Sequence, residues 1–490
     1  MTTLNRKIGT GIVWNVANML VSRGASVLFT LFLARFLAPE AFGLMAMVAI
    51  CYAIADALMV SGFGQAIIRQ PSITPEDLST AFFANLALSL LLYPLLYVSA
   101  PWVAQYYGHA DLTLMLRVIG VVLFINAFKV VQLALMNRDM DFKTLMRVNS
   151  TATIVAGVLA VAMAYAGFGV WSLVAQFIAM ATVSTVLLWV HSTWRPQLNF
   201  SGAALRRMFG FGSMLTIEGV LNVLYENAYI LVIGKLFTPE ITGLYYFAKR
   251  IRDLVVDQVN AAVQQATYPA MAQIQNEADG LRMMYRTILQ LLFFVITPCL
   301  AVLTLLSEPL FALAFNPRWM PAVPYLQLLC IAGVVFPVHT INLNMLKVKG
   351  RSDLVLYVGL VKKGLHLALL AATAPFGIMA ILIGQVVAAA LSCLPYMYYS
   401  HTLLGYRLAL QLRDIIKPVF ASAVAAALAW GLLLGIDAAP MLAVAAGSAC
   451  FILTYAIAGQ LLSVEGFVLI RNKLLALHAR QIKKRAGVQT

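Results

Sequence analysis

Long apolar runs separated by short polar segments make up most of the chain. Crossing the hydrocarbon layer of a bilayer takes roughly 20 mostly apolar residues as a helix. In lipid every backbone N–H and C=O group must bond internally, so these runs are predicted to be α-helices. We predict about fourteen membrane spans. They lie near residues 12–36, 41–62, 78–100, 113–134, 148–166, 169–190, 213–236, 242–266, 285–306, 323–346, 354–374, 376–399, 418–435 and 440–462.

The composition agrees with an all-α integral membrane protein. Apolar residues make up 62% of the 490 residues and charged residues 11%, against about 25% charged in soluble domains. A net charge of +15 would suggest a nucleic-acid partner in a soluble protein. Here the basic residues stand between apolar runs, as in membrane proteins, so no nucleic-acid partner is expected.

Several chemistries find no support in the sequence. The five cysteines fall inside apolar runs, without a CxxC pair or a His/Cys cluster, so neither a disulfide nor a metal site is predicted. A phosphate loop of the form GxxxxGK[ST] is absent, which argues against direct coupling to ATP. The loops are too short to hold a folded domain outside the membrane. We therefore expect no catalytic residues, no cofactor and no enzymatic activity. The first apolar run is too long for a signal-peptide core and is expected to be retained.

Lysine and arginine are unevenly distributed between the two sides of the predicted membrane. With both termini in the cytoplasm, 23 of the 34 basic residues lie in inside segments and eight lie within spans. The outside loops hold the other three, Arg35, Lys235 and Arg318. This distribution follows the positive-inside rule, and a missing span would invert it. We predict a multi-pass protein of the bacterial inner membrane with both termini cytoplasmic.

A stretch near the start of the chain recurs 200 residues later. Residues 33–44 align with residues 233–244 without a gap, and Pro, Glu, Gly and Leu match. Arg35 corresponds to Lys235. One explanation is a shared turn chemistry, since Pro and Gly often mark tight turns. The explanation we favour is an internal duplication, which would give two parallel six-helix halves with the substrate path between them.

Polar positions within the spans support the duplication. The same offset places Asn18, Ser22 and Ser26 opposite Glu218, Asn222 and Glu226, so both helices carry a polar stripe at i, i+4 and i+8. The predicted organisation is an N-terminal bundle at 1–195, a second bundle at 196–400, accessory helices at 401–464 and a basic cytoplasmic tail at 465–490.

Ionisable residues within the spans concentrate on equivalent helices of the two halves. Each costs roughly 2.5–3.5 kcal/mol on insertion scales, so such residues normally face a cavity. Arg23 lies in span 1, Asp56 in span 2, and Glu218 and Glu226 in span 7. Span 8 carries Lys249, Arg250, Arg252, Asp253 and Asp257. These positions predict a central polar cavity lined by spans 1, 2, 7 and 8.

Span 8 allows two interpretations. By helical periodicity Arg250, Asp253, Asp257, Asn260 and Gln264 share one face. In a functional interpretation the arginines hold an anionic head group while the carboxylates exchange protons or cations. In a structural interpretation Asp253 forms local ion pairs with Lys249 and Arg250.

Two weaker candidates lie on spans 4 and 11. Lys129 follows Asn126, and Lys362 lies close to Lys363 and His366. Both lysines could extend toward the cytoplasmic surface instead, which is more plausible for Lys129 than for Lys362 in the middle of its span. His339 has no partner at a ligand spacing and is expected to be a packing residue.

These features resemble the Wzx-type polysaccharide flippases of the multidrug, oligosaccharidyl-lipid and polysaccharide exporter (MOP) superfamily. The resemblance rests on fourteen spans in a 6+6+2 arrangement and on the Pro-Glu-x-x-Gly-Leu turn. It also rests on Gly243–Asp253, with the sequence GLYYFAKRIRD, and on Tyr268-Pro269-Ala270. The overall pattern is most similar to the colanic-acid and teichuronic-acid exporter branch.

The resemblance implies a MATE-like fold and transport of undecaprenyl-pyrophosphate-linked oligosaccharides from the cytoplasmic to the periplasmic leaflet. A cationic cavity would then include Arg23, Arg250, Arg252 and Lys362. Membrane lipids, a polysaccharide polymerase and a chain-length regulator are the partners implied. The alternatives are a cation-coupled multidrug exporter of the same superfamily and an integral-membrane enzyme.

We predict two groups of site residues. Substrate contacts are assigned to Arg23, Lys129, Asn222, Arg250, Arg252 and Lys362. Proton or cation coupling, if transport uses it, is assigned to Asp56, Glu218, Glu226, Asp253 and Asp257. Because Lys249 and Arg250 can reach Asp253, Asp257 is the preferred proton carrier and Glu226 the alternative.

Overall fold

The computed structural model describes residues 24–435 and 439–468, and all regular structure in those ranges is helical. This confirms the predicted all-α membrane fold. In chain order the helices are α1 Gly24–Phe36, α2 Pro39–Arg69, α3 Pro75–Tyr107, α4 Asp111–Ala127, α5 Val130–Arg138, α6 Phe142–Tyr165, α7 Trp171–His191, α8 Gly202–Leu236, α9 Pro239–Gln273, α10 Ala278–Leu305, α11 Ser307–Ala314, α12 Val323–Gly333, α13 Phe336–Val348, α14 Ser352–Thr373, α15 Ile378–Leu391, α16 Cys393–Leu404, α17 Leu408–Leu434 and α18 Pro440–Leu461.

Within the described ranges, eleven helices are long and apolar enough to cross a membrane, or twelve if the bent pair α4–α5 forms one span. The predicted total of fourteen is not confirmed by this count. Span 1 lies partly outside the described residues, and α1 is too short by itself. Helix α9 has 35 residues, but it is too polar to be counted.

Proline and capping residues fix where several helices begin. Helices α2 and α9 begin at Pro39 and Pro239, the matching prolines of the repeat. Proline suits the first helical turn because its φ is helical and its missing N–H has no partner there. Helix α3 begins with a capping box, in which the side chains of Thr74 and Asp77 each bond the other's backbone N–H.

The two copies of the repeated turn meet at a reciprocal contact. A Cβ atom on Gly43 would lie 1.8 Å from the carbonyl oxygen of Pro239, and one on Gly243 would lie 1.8 Å from that of Pro39. Only glycine allows two helix starts to approach this closely. Reciprocal contacts of this kind are expected where a twofold axis relates two equivalent elements, which supports the duplication.

Contacts divide the chain into an N-terminal unit, Met1–Tyr246, and a C-terminal unit, Phe247–Thr490. In the first, a core of buried apolar residues joins α2, α3, α4 and α7, and α8 packs along α2. In the second, the largest such core joins α10, α13, α14 and α16. The predicted boundaries after residues 195, 400 and 464 follow the sequence repeat rather than these packed units, and they stay a prediction.

Several membrane spans are interrupted near their middle. Helices α4 and α5 meet at a bend of 47° around Phe128 and Lys129. In the C-terminal unit α12 ends at Gly333 and α13 begins at Phe336, and α15 and α16 are separated at Ser392. Interruptions within a bilayer are tolerated where the free backbone groups lie inside the protein or at a cavity. Among the described helices only the α4–α5 pair is bent by more than 40°, and at Ser392 the backbone stays helical with its N–H bonded to the carbonyl of Ala388.

Candidate functional site

Ten of the eleven predicted site residues lie in the part of the chain that the structure describes, and Arg23 lies outside it. The N-terminal unit holds Asp56, Lys129, Glu218, Asn222 and Glu226. The C-terminal unit holds Arg250, Arg252, Asp253, Asp257 and Lys362.

Asp56 is part of a hydrogen-bonded network between α2 and α4. Its Oδ1 atom accepts from the Tyr52 hydroxyl at 2.8 Å and from Asn126 Nδ2 at 3.1 Å, and Asn126 also bonds Tyr52. Lys129, at the α4–α5 bend, interacts electrostatically with Asp56. The structure therefore joins a residue predicted to bind substrate with one predicted to couple ions. The sequence analysis did not predict this pairing.

Helix α8 carries the polar stripe that the repeat predicts. Glu218 and Glu226 are exposed, and Asn222 is half-buried between them. Asn222 Nδ2 donates to Glu226 Oε1 at 3.0 Å. Spacing by four residues places the three side chains above one another on one face of the helix. Nothing in these contacts assigns them to substrate or to ions.

Helix α9 confirms one predicted ion pair and corrects another. Asp253 is held by Lys249 at 2.9 Å, as its i, i+4 spacing predicts, and by Arg252 at 2.7 Å. The expected pair between Arg250 and Asp253 is not formed. Arg250 is instead exposed and forms no ion pair within the described residues. Of the arginines on α9, Arg250 is therefore the one whose charge is available to a ligand.

Two polar residues of α9 contact helices of the C-terminal unit. The side chain of Arg252 packs beside Gly333 of α12, where a Cβ atom would lie 3.4 Å from Arg252 Cδ. Asn260 Oδ1 accepts from Thr340 Oγ1 of α13 at 2.9 Å. Arg250 and Asp257 are exposed. The predicted grouping of Asn260 with Arg250 and Asp257 on one face stays a prediction.

Lys362 lies half-buried in the middle of α14, within electrostatic range of four other titratable side chains. These are His339 on α13, Lys363 and His366 on α14, and Cys393 on α16. His339 is 8% exposed and lies 2.9 Å from the Ser392 hydroxyl through its Nε2 atom. The sequence predicts a packing residue at this position, and the ring of His339 also lies edge-on to that of Tyr396.

An ion pair near the predicted cytoplasmic ends of α10 and α17 was also missed. Asp414, whose side chain is 3% exposed, accepts from Arg286 Nε at 2.6 Å and Nη2 at 3.0 Å. The Tyr406 hydroxyl donates to the same carboxylate. Burial and this hydrogen bond raise the pKa of Tyr406, so its hydroxyl keeps its proton. The cluster fixes the start of α17 to α10.

In the described residues no group of three or more His, Cys, Asp or Glu side chains could hold a metal ion. The C-terminal unit contains an apolar cavity of about 1290 Å³ between α10, α12, α15 and α17. Its lining includes Ala301, Leu328, Ala426 and Trp430. Glu308 and Gln327 are among the polar residues of a lining that is otherwise mostly apolar and can accept an aliphatic chain.

The fold places the chain with known membrane transporters. A structure of the lipid II flippase MurJ in an inward closed conformation superposes with a TM-score of 0.74 at 11% identity, covering 91% of this chain and 99% of MurJ. An inward-facing multidrug resistance MATE transporter of the MOP superfamily superposes with a TM-score of 0.60 at 15% identity, covering 79% and 98%. At these identities the likeness concerns the fold. The fold is therefore MATE-like, as the resemblance implied.

The profile of a family described as "Polysaccharide biosynthesis protein" matches residues 32–324, which is more than half of the chain. The chain belongs to this family. It is 26% identical to the teichuronic acid biosynthesis protein TuaB of Bacillus subtilis, over 62% of this chain and 63% of TuaB. It is 23% identical to the lipopolysaccharide biosynthesis protein WzxC of Escherichia coli, over 72% of each chain. The succinoglycan biosynthesis transport protein ExoT of Rhizobium meliloti is 26% identical over 69% of this chain and 68% of ExoT.

Proposed function

We propose that this protein moves undecaprenyl-pyrophosphate-linked oligosaccharide repeat units from the cytoplasmic to the periplasmic leaflet for surface polysaccharide synthesis. The observation that carries the proposal is the family match over residues 32–324, which includes all of α8 and α9. Relatives named for teichuronic acid, lipopolysaccharide and succinoglycan synthesis support a glycan substrate. The MurJ-like fold supports a lipid-linked one. The protein acts as a transporter and not as an enzyme.

The geometry of α9 suits an anionic head group. Arg250 lies eleven residues from the helix start at Pro239, or about 16 Å along the axis, near the middle of a bilayer about 30 Å thick. A guanidinium at this depth is costly unless an anion or water-filled cavity neutralises its charge. Arginine binds phosphate oxygens through two parallel N–H groups. The pyrophosphate of the carrier lipid supplies such oxygens.

The apolar cavity of the C-terminal unit supports the proposal that the substrate carries a lipid chain. An isoprenoid chain must stay in a lipid-like environment while its pyrophosphate and sugars cross in a polar one. The volume of about 1290 Å³ and the apolar lining of this cavity would hold part of such a chain.

The proposal also covers the location of the protein, its partner proteins and the proton to which transport is coupled. The distribution of basic residues supports an inner-membrane protein with both termini cytoplasmic. A polymerase and a chain-length regulator would act on the delivered repeat units. For coupling we propose a proton carried by Asp257 or Glu226, both of which are exposed. Asp253 is less suited because Lys249 and Arg252 already hold its charge. No cofactor is required.

A multidrug exporter is the second candidate, because MATE transporters share the fold. Exporters of cationic drugs need carboxylates in their cavity, and Glu218, Glu226 and Asp257 are exposed. The exposed guanidinium of Arg250 would repel a cation, which favours the flippase.

The test is polysaccharide export in cells that lack their own copy of this gene. Cells complemented with the Arg250→Ala variant are expected to carry at least about tenfold less surface polymer. The reason is that the variant lacks one charge-assisted contact to phosphate. Arg206→Ala, at an exposed arginine near the start of α8, is the matched control and should export normally. Protein amounts in the membrane should be equal. Normal export by the Arg250→Ala variant would contradict the proposed binding of substrate by Arg250. Extrusion of cationic drugs by the wild type without polymer export would favour the multidrug exporter.

A further inference from the structure

A groove in the N-terminal unit lies where α7 packs against the α4–α5 bend. Two side chains of α7, four residues apart, donate to backbone carbonyls at this bend. Thr185 Oγ1 donates to the carbonyl of Ile125 at 3.2 Å, and Trp189 Nε1 donates to that of Phe128 at 2.9 Å. Side chains of neighbouring helices commonly take up the backbone groups that an interruption in a span leaves free. Hydrogen bonds therefore hold the two sides of the groove together.

The groove has a volume of about 380 Å³ and is mostly apolar. Val186 and Val190 on α7 are 54% and 70% exposed, so the groove is open along the surface of this helix. On a helix that spans the membrane, exposed apolar side chains of this kind meet the acyl chains of lipids. The residues that line the groove are Phe128, Thr185, Val186, Trp189, Val190 and Arg195.

Aromatic rings give the groove a firm wall. Phe82 of α3 lies edge-on to the rings of Phe128, Trp189 and Trp194, at centroid distances of 5.8, 6.2 and 5.9 Å. Packing among these rings fixes the positions of Phe128 and Trp189. A wall that is already ordered loses little conformational entropy when a ligand binds against it. The groove is therefore suited to hold an acyl chain in one place.

Arg195 brings one positive charge to this groove, four residues after the end of α7 at His191. Its guanidinium carbon lies 5.4 Å from the centroid of the Trp189 ring. Nη1 donates to the carbonyls of Ser192 and Trp194 at 2.6 and 2.8 Å, and Nη2 donates to that of Trp189 at 3.2 Å. A guanidinium has five N–H groups, so two remain for a ligand. Arg195 is exposed and forms no ion pair within the described residues.

The chemistry of the groove matches a phospholipid. The predicted topology places this end of α7 at the cytoplasmic surface, and tryptophan is typical of the head-group level of a bilayer. Basic pockets between helices at this level bind anionic head groups. Arg195 is the one charged residue among the six that line the groove, and its single charge balances that of a phosphodiester. A pyrophosphate would keep excess negative charge there, and the ammonium of a zwitterionic lipid would cancel much of the attraction.

We propose that this groove binds one anionic phospholipid of the cytoplasmic leaflet. Arg195 holds the phosphate of the head group, and Val186 and Trp189 contact one acyl chain. The bound lipid joins α7 to the α4–α5 bend. None of the six lining residues belongs to the groups predicted to contact substrate or to couple ions, and the site does not depend on which molecule the protein transports.

The experiment measures binding of a fluorescent phosphatidylglycerol to the purified full chain in a neutral detergent, with unlabelled lipids as competitors. Phosphatidylglycerol should displace the probe at a concentration at least about tenfold lower than phosphatidylcholine with the same chains, because it gains one charge-assisted contact. Arg195→Gln should remove this preference, and Arg195→Lys, which keeps the charge, should retain it. Arg413→Gln, at an exposed arginine near the predicted cytoplasmic end of α17, is the matched control and should bind as wild type does.

A second variant tests the groove separately from the charge. In Val186→Trp the indole would occupy part of the groove, so the affinity for phosphatidylglycerol should fall at least about tenfold, as expected when about two CH₂ groups are excluded. If Arg195→Gln does not fold, unchanged binding by Val186→Trp overturns the proposal.

Three other results decide between the possible ligands. Equal binding of phosphatidylglycerol and phosphatidylcholine by the wild type, or an unchanged preference in Arg195→Gln, overturns the site. Displacement by undecaprenyl pyrophosphate at a concentration at least about tenfold lower than phosphatidylglycerol would assign the groove to the transported lipid and overturn the phospholipid assignment. A preference for phosphatidylglycerol that depends on Arg195 supports the site, whether or not the protein moves lipid-linked oligosaccharides.

Discussion

The reciprocal crossing of α2 and α9 gives the most sharply defined perturbation. A Cβ atom at Gly43 would lie 1.8 Å from the Pro239 carbonyl oxygen, whereas an ordinary contact needs about 3.4 Å. Gly43→Ala therefore requires the two helix starts to separate by about 1.6 Å. Both contacting groups are backbone, so no side chain can move aside. We expect a cost of roughly 1–3 kcal/mol or more, the range for overpacked sites.

Gly243→Ala should have the same effect, because its Cβ atom would meet the Pro39 carbonyl oxygen at the same distance. The double variant should cost less than the sum of the single ones, since one separation of the helices relieves both clashes. Gly359→Ala is the matched control: it lies within α14, where a Cβ atom meets nothing within 4 Å. Alanine there should be neutral or stabilise the helix by up to about 1 kcal/mol.

The assay is the midpoint of thermal unfolding in detergent for the four variants and the wild type, together with polymer export in cells. Gly43→Ala and Gly243→Ala should unfold at clearly lower temperatures and export less. If both variants unfold at the same temperature as Gly359→Ala and wild type, the helices do not cross as closely as described. The same conclusion follows if the two destabilisations simply add in the double variant.

Two further predictions concern the ion pairs and the coupling residues. Arg286→Ala should cost about 1.5–3 kcal/mol in thermal or denaturant unfolding, because it removes both hydrogen bonds that the guanidinium donates to the buried carboxylate of Asp414. Arg282→Ala, which breaks an exposed i, i+3 pair, should cost less than about 1 kcal/mol, and equal losses would refute this reasoning. Asp257→Asn or Glu226→Gln should abolish the response of transport to an imposed pH gradient. If both variants transport normally and still respond to the gradient, neither carboxyl carries the coupled proton.

Features encoded by local patterns could be predicted from the sequence. The helical starts at Pro39 and Pro239 follow from proline in a first turn, and their equivalence follows from the ungapped repeat. The pair of Lys249 with Asp253 follows from i, i+4 spacing on one helix. Such signals depend on residues within one or two turns of each other, which a single sequence displays directly.

Features that depend on tertiary packing could not be predicted in this way. Lys129 interacts with Asp56 of another helix, and no spacing within either span indicates that the two side chains meet. Asp414 is paired with an arginine 128 residues away in the sequence, which no periodicity can indicate. His339 has no partner at a metal-ligand spacing in the sequence. Its contact with Ser392 depends on how α13 packs against the residue between α15 and α16.

The central claim is tested most directly by the purified chain reconstituted into liposomes with a fluorescent undecaprenyl-pyrophosphate-linked oligosaccharide in both leaflets. A reductant that cannot cross the bilayer quenches about half of the label in protein-free liposomes, because the polar head group does not cross lipid unaided. With the protein present, we predict that nearly all of the label becomes accessible, and that Arg250→Ala reduces the rate at least about tenfold. Quenching that stops at the protein-free level, in liposomes that contain folded protein, would contradict the account.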